Sequence, residues 1–422
     1  MHTIIVGAGI GGCATALALH ALGIEVTVYE AVRDVAPLGV GINVLPHAMG
    51  VLDQLGLLET LRSAGVETAE LAFFNRHGQL IWREPRGIEA GYPVPQISIH
   101  RGRFQLALLD VVKQRLGPDA VRTGHALRAF STGDSKTRPT VEFENRVTGE
   151  TVHDTADAVI ACDGIHSLVR NTFEPDQGAP QWSGNMLWRA ATRYRGFLTK
   201  RSMFMAGHRP HKFVAYPITD PDEHGFQVIN WIAELDRREI GLSGREEWNK
   251  RVNRSVFADR FADWRFDWLD IPALIDQTDE VFEFPMVDRD PLTCWSHGRV
   301  TLLGDAAHPM YPIGSNGASQ AILDAAAVAT ALHEHSDPVD ALRAYESIRL
   351  PATAKIVLAN RQHGPERVLD MAEERSPSGF SAIGDVFADG ELEGISSQYR
   401  QIAGFSRPGE TVGPAPKSGQ TG

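Results

Sequence analysis

Apolar and polar positions repeat with different periods along the chain, and the changes of period mark its parts. Thr3 to Val6 is a short β-branched run that stops at the glycine cluster Gly7 to Gly12; small apolar residues then fill Cys13 to Leu22, and a second β-branched run covers Glu25 to Tyr29. Short runs of this kind bounded by glycine predict strands, and the small-residue stretch between them predicts a helix, so the opening is a βαβ unit. From about Leu71 to Gln96, and again from Trp188 to Glu283, aromatic residues are frequent and the pattern alternates, as in Phe226 to Ile232. A separate, largely antiparallel sheet is expected there. Val300 to Leu303 is again a continuous apolar strand, followed by Gly304 to Gly317 and an Ala-rich stretch, Ala318 to His333, that predicts a long helix. The chain thus returns to its first domain. Helical patterning continues beyond Tyr345 to about Glu374, while the segment from about Phe405 to Gly422 is rich in Pro, Gly and Ser and reads as a disordered tail.

Composition narrows the function classes. The 422 residues are 43% hydrophobic and 22% charged, enough material for two packed domains with a deep cleft. Lys and Arg number 41 against 53 Asp and Glu, a net charge of −12, and without a basic run to track a phosphate backbone nucleic acid is not expected as a partner. Cys13, Cys162 and Cys294 are far apart and lack the spacing of a zinc site, so no metal is expected and the thiols read as small core residues in a reducing compartment. Gly and charged residues break every long apolar stretch before the roughly 20 residues that a membrane span needs. The first apolar run has no basic flank of the signal-peptide type. These features predict a cytoplasmic protein without membrane contact.

Gly7, Gly9 and Gly12 form a G-x-G-x-x-G turn between a predicted strand and a predicted helix. Such glycines permit the tight turn, close backbone approach to a pyrophosphate at the helix N-terminus, and close helix packing. Glu30 ends the second strand, where a carboxylate accepts the ribose hydroxyls of an adenosine. NAD and FAD both satisfy this motif. Two later segments narrow the choice: Ala156 to Arg170 is a strand ending in Asp163-Gly164 with Ser167 and Arg170 behind it, and Gly298 to Pro309 is a strand ending in Gly304-Asp305, followed by Pro312 to Gly317. Asp163 and Arg170 also admit a plainer reading, a buried ion pair that fastens two elements. His308 falls in a packed turn and fits a hydrogen-bonded structural histidine better than a general base.

These three ordered motifs resemble the group A FAD-dependent aromatic monooxygenases, the para-hydroxybenzoate hydroxylase-like family, over nearly the whole chain up to about Arg361. The resemblance implies an α/β fold: a Rossmann-like FAD-binding domain from residues 1–70, 97–175 and 284–365, an antiparallel-sheet substrate domain from 71–96 and 176–283, and a C-terminal helix with a disordered tail over 366–422. It implies non-covalent FAD, with NAD(P)H as co-substrate bound transiently in a groove, since the chain has a single Rossmann fingerprint. By the same resemblance Asp163 serves both FAD and the pyridine nucleotide, and Asp305 holds a ribityl hydroxyl. Gly314, Asn316 and Gly317 line the isoalloxazine, where the N-terminus of the following helix favours negative charge on the reduced ring. In Ser98 to Leu106 the resemblance puts Arg101 on the pyrophosphate, with Arg103 as a competitor, and Gln105 near the ribityl chain.

Further stretches, Pro37 to Asn43, Glu84 to Gly91, Ser98 to Gly102, Phe284 to Pro291 and Met310 to Pro312, resemble the branch of the family that contains 5-methylphenazine-1-carboxylate 1-monooxygenases. The partners implied are a small aromatic or N-heteroaromatic substrate, with its carboxylate retained or lost, and O2, captured as a flavin C4a-hydroperoxide. Trp188, Arg189, Tyr216, Trp231 and Tyr311 are the candidate pocket residues, although each aromatic also reads as core. No catalytic residue is singled out, because this chemistry asks the protein to position the ring and exclude water. Two other readings stand beside it: a flavin reductase or saturase, which would form no hydroxylated product, and a flavin-binding protein without turnover, against which the intact Asp305 and Gly314 to Gly317 segment speaks. A monomer and a homodimer are equally compatible with the sequence.

Overall fold

The opening βαβ unit forms where its residues predict, as strand His2–Val6, helix Ile10–Ala21 and strand Glu25–Glu30, in a computed structural model that describes residues 1–37, 39–239, 250–362 and 364–409. His2–Val6 pairs in parallel with Glu25–Glu30 on one edge and with Ala158–Ala161 on the other, and Ala158–Ala161 is parallel to Val300–Leu302. Distant segments thereby build one six-stranded sheet, in the order 296–297, 300–302, 158–161, 2–6, 25–30, 121–123. The strand order reverses at His2–Val6, which opens a crevice beyond the carboxyl ends of the strands. Helices Ile10–Ala21 and Gly317–Glu334 pack against each other beside it. Buried Ala14, Ala18, Ala321 and Ala325 keep their side chains small.

The second sheet has eight strands in the order 250–252, 281–288, 181–195, 226–236, 211–217, 202–208, 70–74, 80–85. It is antiparallel except for Glu70–Phe74 with Ser202–His208, which run parallel; Glu70–Phe74 arrives from a separate segment, so no hairpin fixes its direction. Val281–Asp288 stays in this sheet by pairing with Gln181–Arg195, past residue 284, where a return to the first domain was expected. One face of the sheet buries an aromatic core that includes Trp188, Trp231, Phe204 and Phe213. The other face looks onto the crevice and, farther along, onto the C-terminal segment.

Among the described residues beyond Arg361 the chain forms two α-helices, Arg367–Arg375 and Glu391–Ala403, where a single C-terminal helix was expected. Phe405 is buried, stacked on His47 and edge-on to Tyr399. The place expected to start a disordered tail is therefore a core contact, because an aromatic ring there finds apolar partners that local composition does not reveal. The rest of that expected tail, residues 410–422, lies outside the described residues. Among the described residues no helix is long and apolar enough to cross a membrane.

Candidate active site

A cavity of about 350 Å³ lies where the crevice of the first sheet meets the free face of the second. On the first side its wall is main chain. A Cβ at Gly7 would come within 2.5 Å of the Cys162 carbonyl oxygen, and one at Gly12 within 1.9 Å of the Gly7 carbonyl oxygen. Both positions are closed to any side chain, and Gly7, at φ +103°, also needs glycine's conformational freedom. Gly9 differs, since a Cβ there meets nothing within 4 Å and the residue lines the cavity. The same is true of Gly164 and Gly317. Three glycines open to one crevice make a cradle for a group that must approach the backbone closely, and the uncapped N-terminus of Ile10–Ala21 supplies free N–H groups to a pyrophosphate there. The residues present fit FAD.

Side chains around this wall mostly hold it in shape. Glu30 accepts from the Ala8 N–H at 2.7 Å and the Val32 N–H at 2.8 Å, and Gln105 donates to the Ala8 carbonyl at 3.0 Å. His100 caps helix Arg101–Leu116 by accepting from the Arg103 N–H. Arg101 then lines the cavity, whereas Arg103 is exposed outside the lining. Asp163 accepts from the Leu168 N–H at 2.9 Å at the start of helix Leu168–Phe173. Burial pushes its carboxyl up, against hydrogen bonds from Ser167 and the backbone.

The alternative of a fastening Asp163–Arg170 ion pair is corrected by the geometry. Arg170 donates to the carbonyls of Ala306 at 3.0 Å, Ala307 at 2.7 Å and Asp290 at 3.0 Å, and to the Gln177 side chain at 2.7 Å. Its fork is filled by backbone oxygens, so it ties down the turn after Gly304 instead.

Asp305 is exposed and lines the cavity from the 3-10 turn Gly304–Ala306. Behind it His308 Nε2 lies 2.5 Å from Asp324 Oδ2, and Arg349 donates to the other oxygen at 2.6 Å. Burial alone would raise the Asp324 pKa; His308 and Arg349 outweigh it and bring the carboxyl down to about 2. His308 is buried in this network and stands outside the lining. In the following loop Ser315, Asn316 and Gly317 line the cavity. Gly314, at φ +68°, turns against the Tyr399 ring, where a Cβ would lie 2.1 Å from the hydroxyl. Asn316 donates to that hydroxyl at 2.7 Å. Helix Gly317–Glu334 starts without a side-chain cap, so its first N–H groups stay available beside the cavity.

On the sheet side, alternation along each strand decides which residues take part. Arg189, Ile232, Val214 and Tyr216 line the cavity, while Trp188, Trp231 and Phe213 turn to the aromatic core. Of the five expected pocket residues the structure brings Arg189 and Tyr216 together and places the others elsewhere. Trp188 is the strand neighbour of Arg189 and cannot share its face; it donates to Glu283 at 3.0 Å. Trp231 pairs with Ala215, next to Tyr216, and donates to Thr192 at 2.9 Å. Tyr311 packs behind the lining with Leu187, Phe284 and Met286.

Arg189 donates from Nη2 to the Gly41 carbonyl at 3.1 Å and engages the Tyr216 hydroxyl, while its Nε is buried without a partner. Burial pushes the guanidinium pKa down and moves the Tyr216 hydroxyl up to about 12. The wall also holds three residues that sequence reasoning missed: Lys212 lies 2.9 Å from Glu234 and contacts Glu366. Lys212 shares the parity of Tyr216, a signal that could have found it. Glu366 sits in a short turn after a helix and has no such signal.

The FAD binding domain family model matches residues 1–360. The phenazine 1,6-dicarboxylic acid hydroxylase PhzS of Lysobacter antibioticus is 43% identical over 403 residues, covering 94% of this chain and 96% of that protein. The 3-hydroxybenzoate 6-hydroxylase of Polaromonas naphthalenivorans is 30% identical over 400 residues, covering 90% and 94%. Among solved structures, a salicylate hydroxylase substrate complex superposes with a TM-score of 0.72 at 22% identity, covering 97% of this chain and 98% of that one. Klebsiella pneumoniae HpxO with FAD and uric acid gives 0.71 at 21% identity, covering 96% and 93%.

Proposed function

The chain belongs to the FAD binding domain family and is an FAD-dependent aromatic monooxygenase that uses NAD(P)H, and we propose that its substrate is a fused N-heteroaromatic carboxylic acid of the phenazine type, held by its carboxylate on Arg189. The observation that carries this reading is the buried, unpartnered Nε of Arg189 beside an apolar stretch of the wall formed by Met203, Met205, Val214 and Ile232. A carboxylate answers the guanidinium with a charge-assisted bond, and the flanking apolar wall suits a fused ring. The relative named for a phenazine dicarboxylic acid supports the same class. The sequence relatives reported above carry hydroxylase names, so reductase chemistry without oxygen insertion finds no support.

In this reading Gly9, Gly164, Gly317, Arg101 and Asp305 hold FAD, with Gly7, Gly12, Glu30, Gln105, Asp163 and Gly314 keeping the main chain in shape around it and Asn316 at the flavin edge. When bound, FAD would take two electrons from NAD(P)H and use them to activate O2, one oxygen atom going to the ring and the other leaving as water. The chain's own residues fix the ring through Arg189 and Tyr216, and the apolar wall keeps water from the reacting edge. NAD(P)H supply favours a cytoplasmic enzyme, as a monomer or a homodimer. The test is stopped-flow reduction of the flavin by NADH or NADPH with and without phenazine-1-carboxylate, followed by admission of oxygen. A ligand-accelerated reduction, with a product heavier by one oxygen or with hydroxyl in place of carboxyl, is expected. Reduction at one rate whatever the ligand, with only hydrogen peroxide formed, would sink the substrate assignment.

A further inference from the structure

The part of the sheet wall away from Tyr216 carries three ionisable side chains where apolar ones would pack better. Lys212, Glu234 and Glu366 are 4%, 5% and 7% exposed, and all three line the cavity. Lys212 and Glu234 face each other on paired strands, and Glu366 comes from the turn Gly364–Glu366, beyond the residues that the family model matches. Asn185 donates to the second oxygen of Glu234 at 2.6 Å. Burying such a cluster costs desolvation that mutual attraction seldom outweighs, and perturbed ionisable groups in a cleft point to use. One ammonium meets two carboxylates, so the cluster carries a surplus negative charge when both are ionised. Lys212 and Tyr216 are four residues apart on one strand, about 13 Å; Arg189 starts level with Val214, across Ile232, and its side chain reaches Tyr216 at the end away from Lys212. Between Lys212 and Tyr216 lies Val214, flanked on the neighbouring strands by Met205 and Ile232.

We propose that Lys212, Glu234 and Glu366 form a second polar subsite that reads the substituent across the ring from the carboxylate, accepting a hydrogen-bond donor such as a hydroxyl or amino group and rejecting a second carboxylate. This rests on the reading of the cavity as an acid site centred on Arg189. A donor finds carboxylate oxygens in excess. A second carboxylate competes for an ammonium already held by two others, in a dry setting where like charges repel strongly. Glu366 sets the strength of the rejection: burial raises its pKa, Lys212 opposes and Glu234 adds to the rise. The titratable groups facing it are Lys212 and Glu234 from the sheet, Asp370 from helix Arg367–Arg375 and Tyr399 from helix Glu391–Ala403. Protonation of Glu366 removes the surplus charge, so rejection strengthens as pH rises.

Equilibrium binding to the oxidised, FAD-loaded enzyme without NAD(P)H, read from flavin difference absorbance, tests this with phenazine-1-carboxylate, its 6-hydroxy derivative and phenazine-1,6-dicarboxylate. The 6-hydroxy acid should bind most tightly and the dicarboxylate about tenfold more weakly than the monoacid, with the gap widening as pH rises. In Glu366→Gln the gap should shrink below about threefold and lose its pH dependence. A dicarboxylate that binds as tightly as the monoacid, or a gap that Glu366→Gln leaves intact, overturns the subsite while the Arg189 reading stands. Binding of none of the acids, or binding that Arg189→Met leaves unchanged, overturns the acid site and the subsite with it. Glu234→Gln removes the same charge from the sheet side and carries the same expectations should Glu366→Gln fail to fold.

Discussion

The glycine side of the cavity and its sheet side face the same ligand space with different material. Gly9, Gly164 and Gly317 present backbone, and Glu30, Gln105 and one oxygen of Asp163 make hydrogen bonds to main chain around it. Across from them Arg189, Tyr216 and Lys212 present side chains from a pleated surface, and backbone matters only as the register that aims them. A backbone wall tolerates no added atom where it is tight and any small atom where it is open. A side-chain wall tolerates change on one face of a strand and not on the next.

The largest effect tests the first half of that contrast. Gly12→Val should abolish soluble, flavin-loaded protein, because its Cβ would sit 1.9 Å from a carbonyl oxygen that cannot move without unmaking the turn. Gly9→Ala should leave the melting temperature of the apoprotein within about 2 °C while weakening FAD about tenfold. Flavin content after purification and apoprotein melting curves separate the two, and equal melting of both variants would remove the distinction between tight and open glycines.

Arg189→Met comes next and probes the side-chain wall. A hydrogen bond to a charged group contributes about 1.5 to 3 kcal/mol, so KM for the aromatic acid should rise about 10- to 100-fold with flavin content unchanged. A rise in KM accompanied by equal loss of flavin would mean that Arg189 supports the cofactor wall instead.

Behind the glycine side, the Asp324 carboxyl is held at about 2 by His308 and Arg349, below its usual value of about 3.9. A depressed folded-state pKa stabilises the protein above the unfolded value, and that contribution is lost as pH falls from about 4 through about 2. Asp324→Asn should cost at least about 2 kcal/mol at neutral pH, since it also takes the carboxylate partner from buried Arg349 and His308. Its stability should fall less steeply than that of the native protein on acidification. Urea unfolding at neutral pH and near pH 3 measures both, and parallel acid slopes would show that another group carries the acid sensitivity.

The same contrast explains what the sequence disclosed. Gly7, Gly9 and Gly12 write their turn within six residues, between strand and helix signals that need nothing from elsewhere, and Asp305 ends its strand in the same local way. Arg101 and Arg103 look alike in sequence; only the cap at His100 and the path of the helix bring one of them to the cavity. On the sheet, aromatic frequency selected Trp188 and Trp231, although Trp188 and Arg189 are neighbours and a strand cannot aim both at one space. Glu366 and Tyr399 come from turns and helices whose local pattern says nothing about the distant wall they complete.

Trp231→Phe gives the smallest effect and the sharpest reading of parity. Trp231 is fully buried, its indole N–H donates to Thr192, and its ring packs on Phe213 in the aromatic core. The substitution leaves the Thr192 hydroxyl short of a donor and a small gap, a loss of about 1 to 2 kcal/mol. KM for the acid should stay within about twofold, because the side chain faces away from the cavity and Ile232, its neighbour, faces in. Tyr216→Phe should do the reverse, raising KM with little change in melting, since its hydroxyl meets Arg189 inside the wall. If Trp231→Phe moved KM and Tyr216→Phe did not, the two faces of the sheet would have to be exchanged, and the assignment of Arg189 and Lys212 to the substrate would go with them.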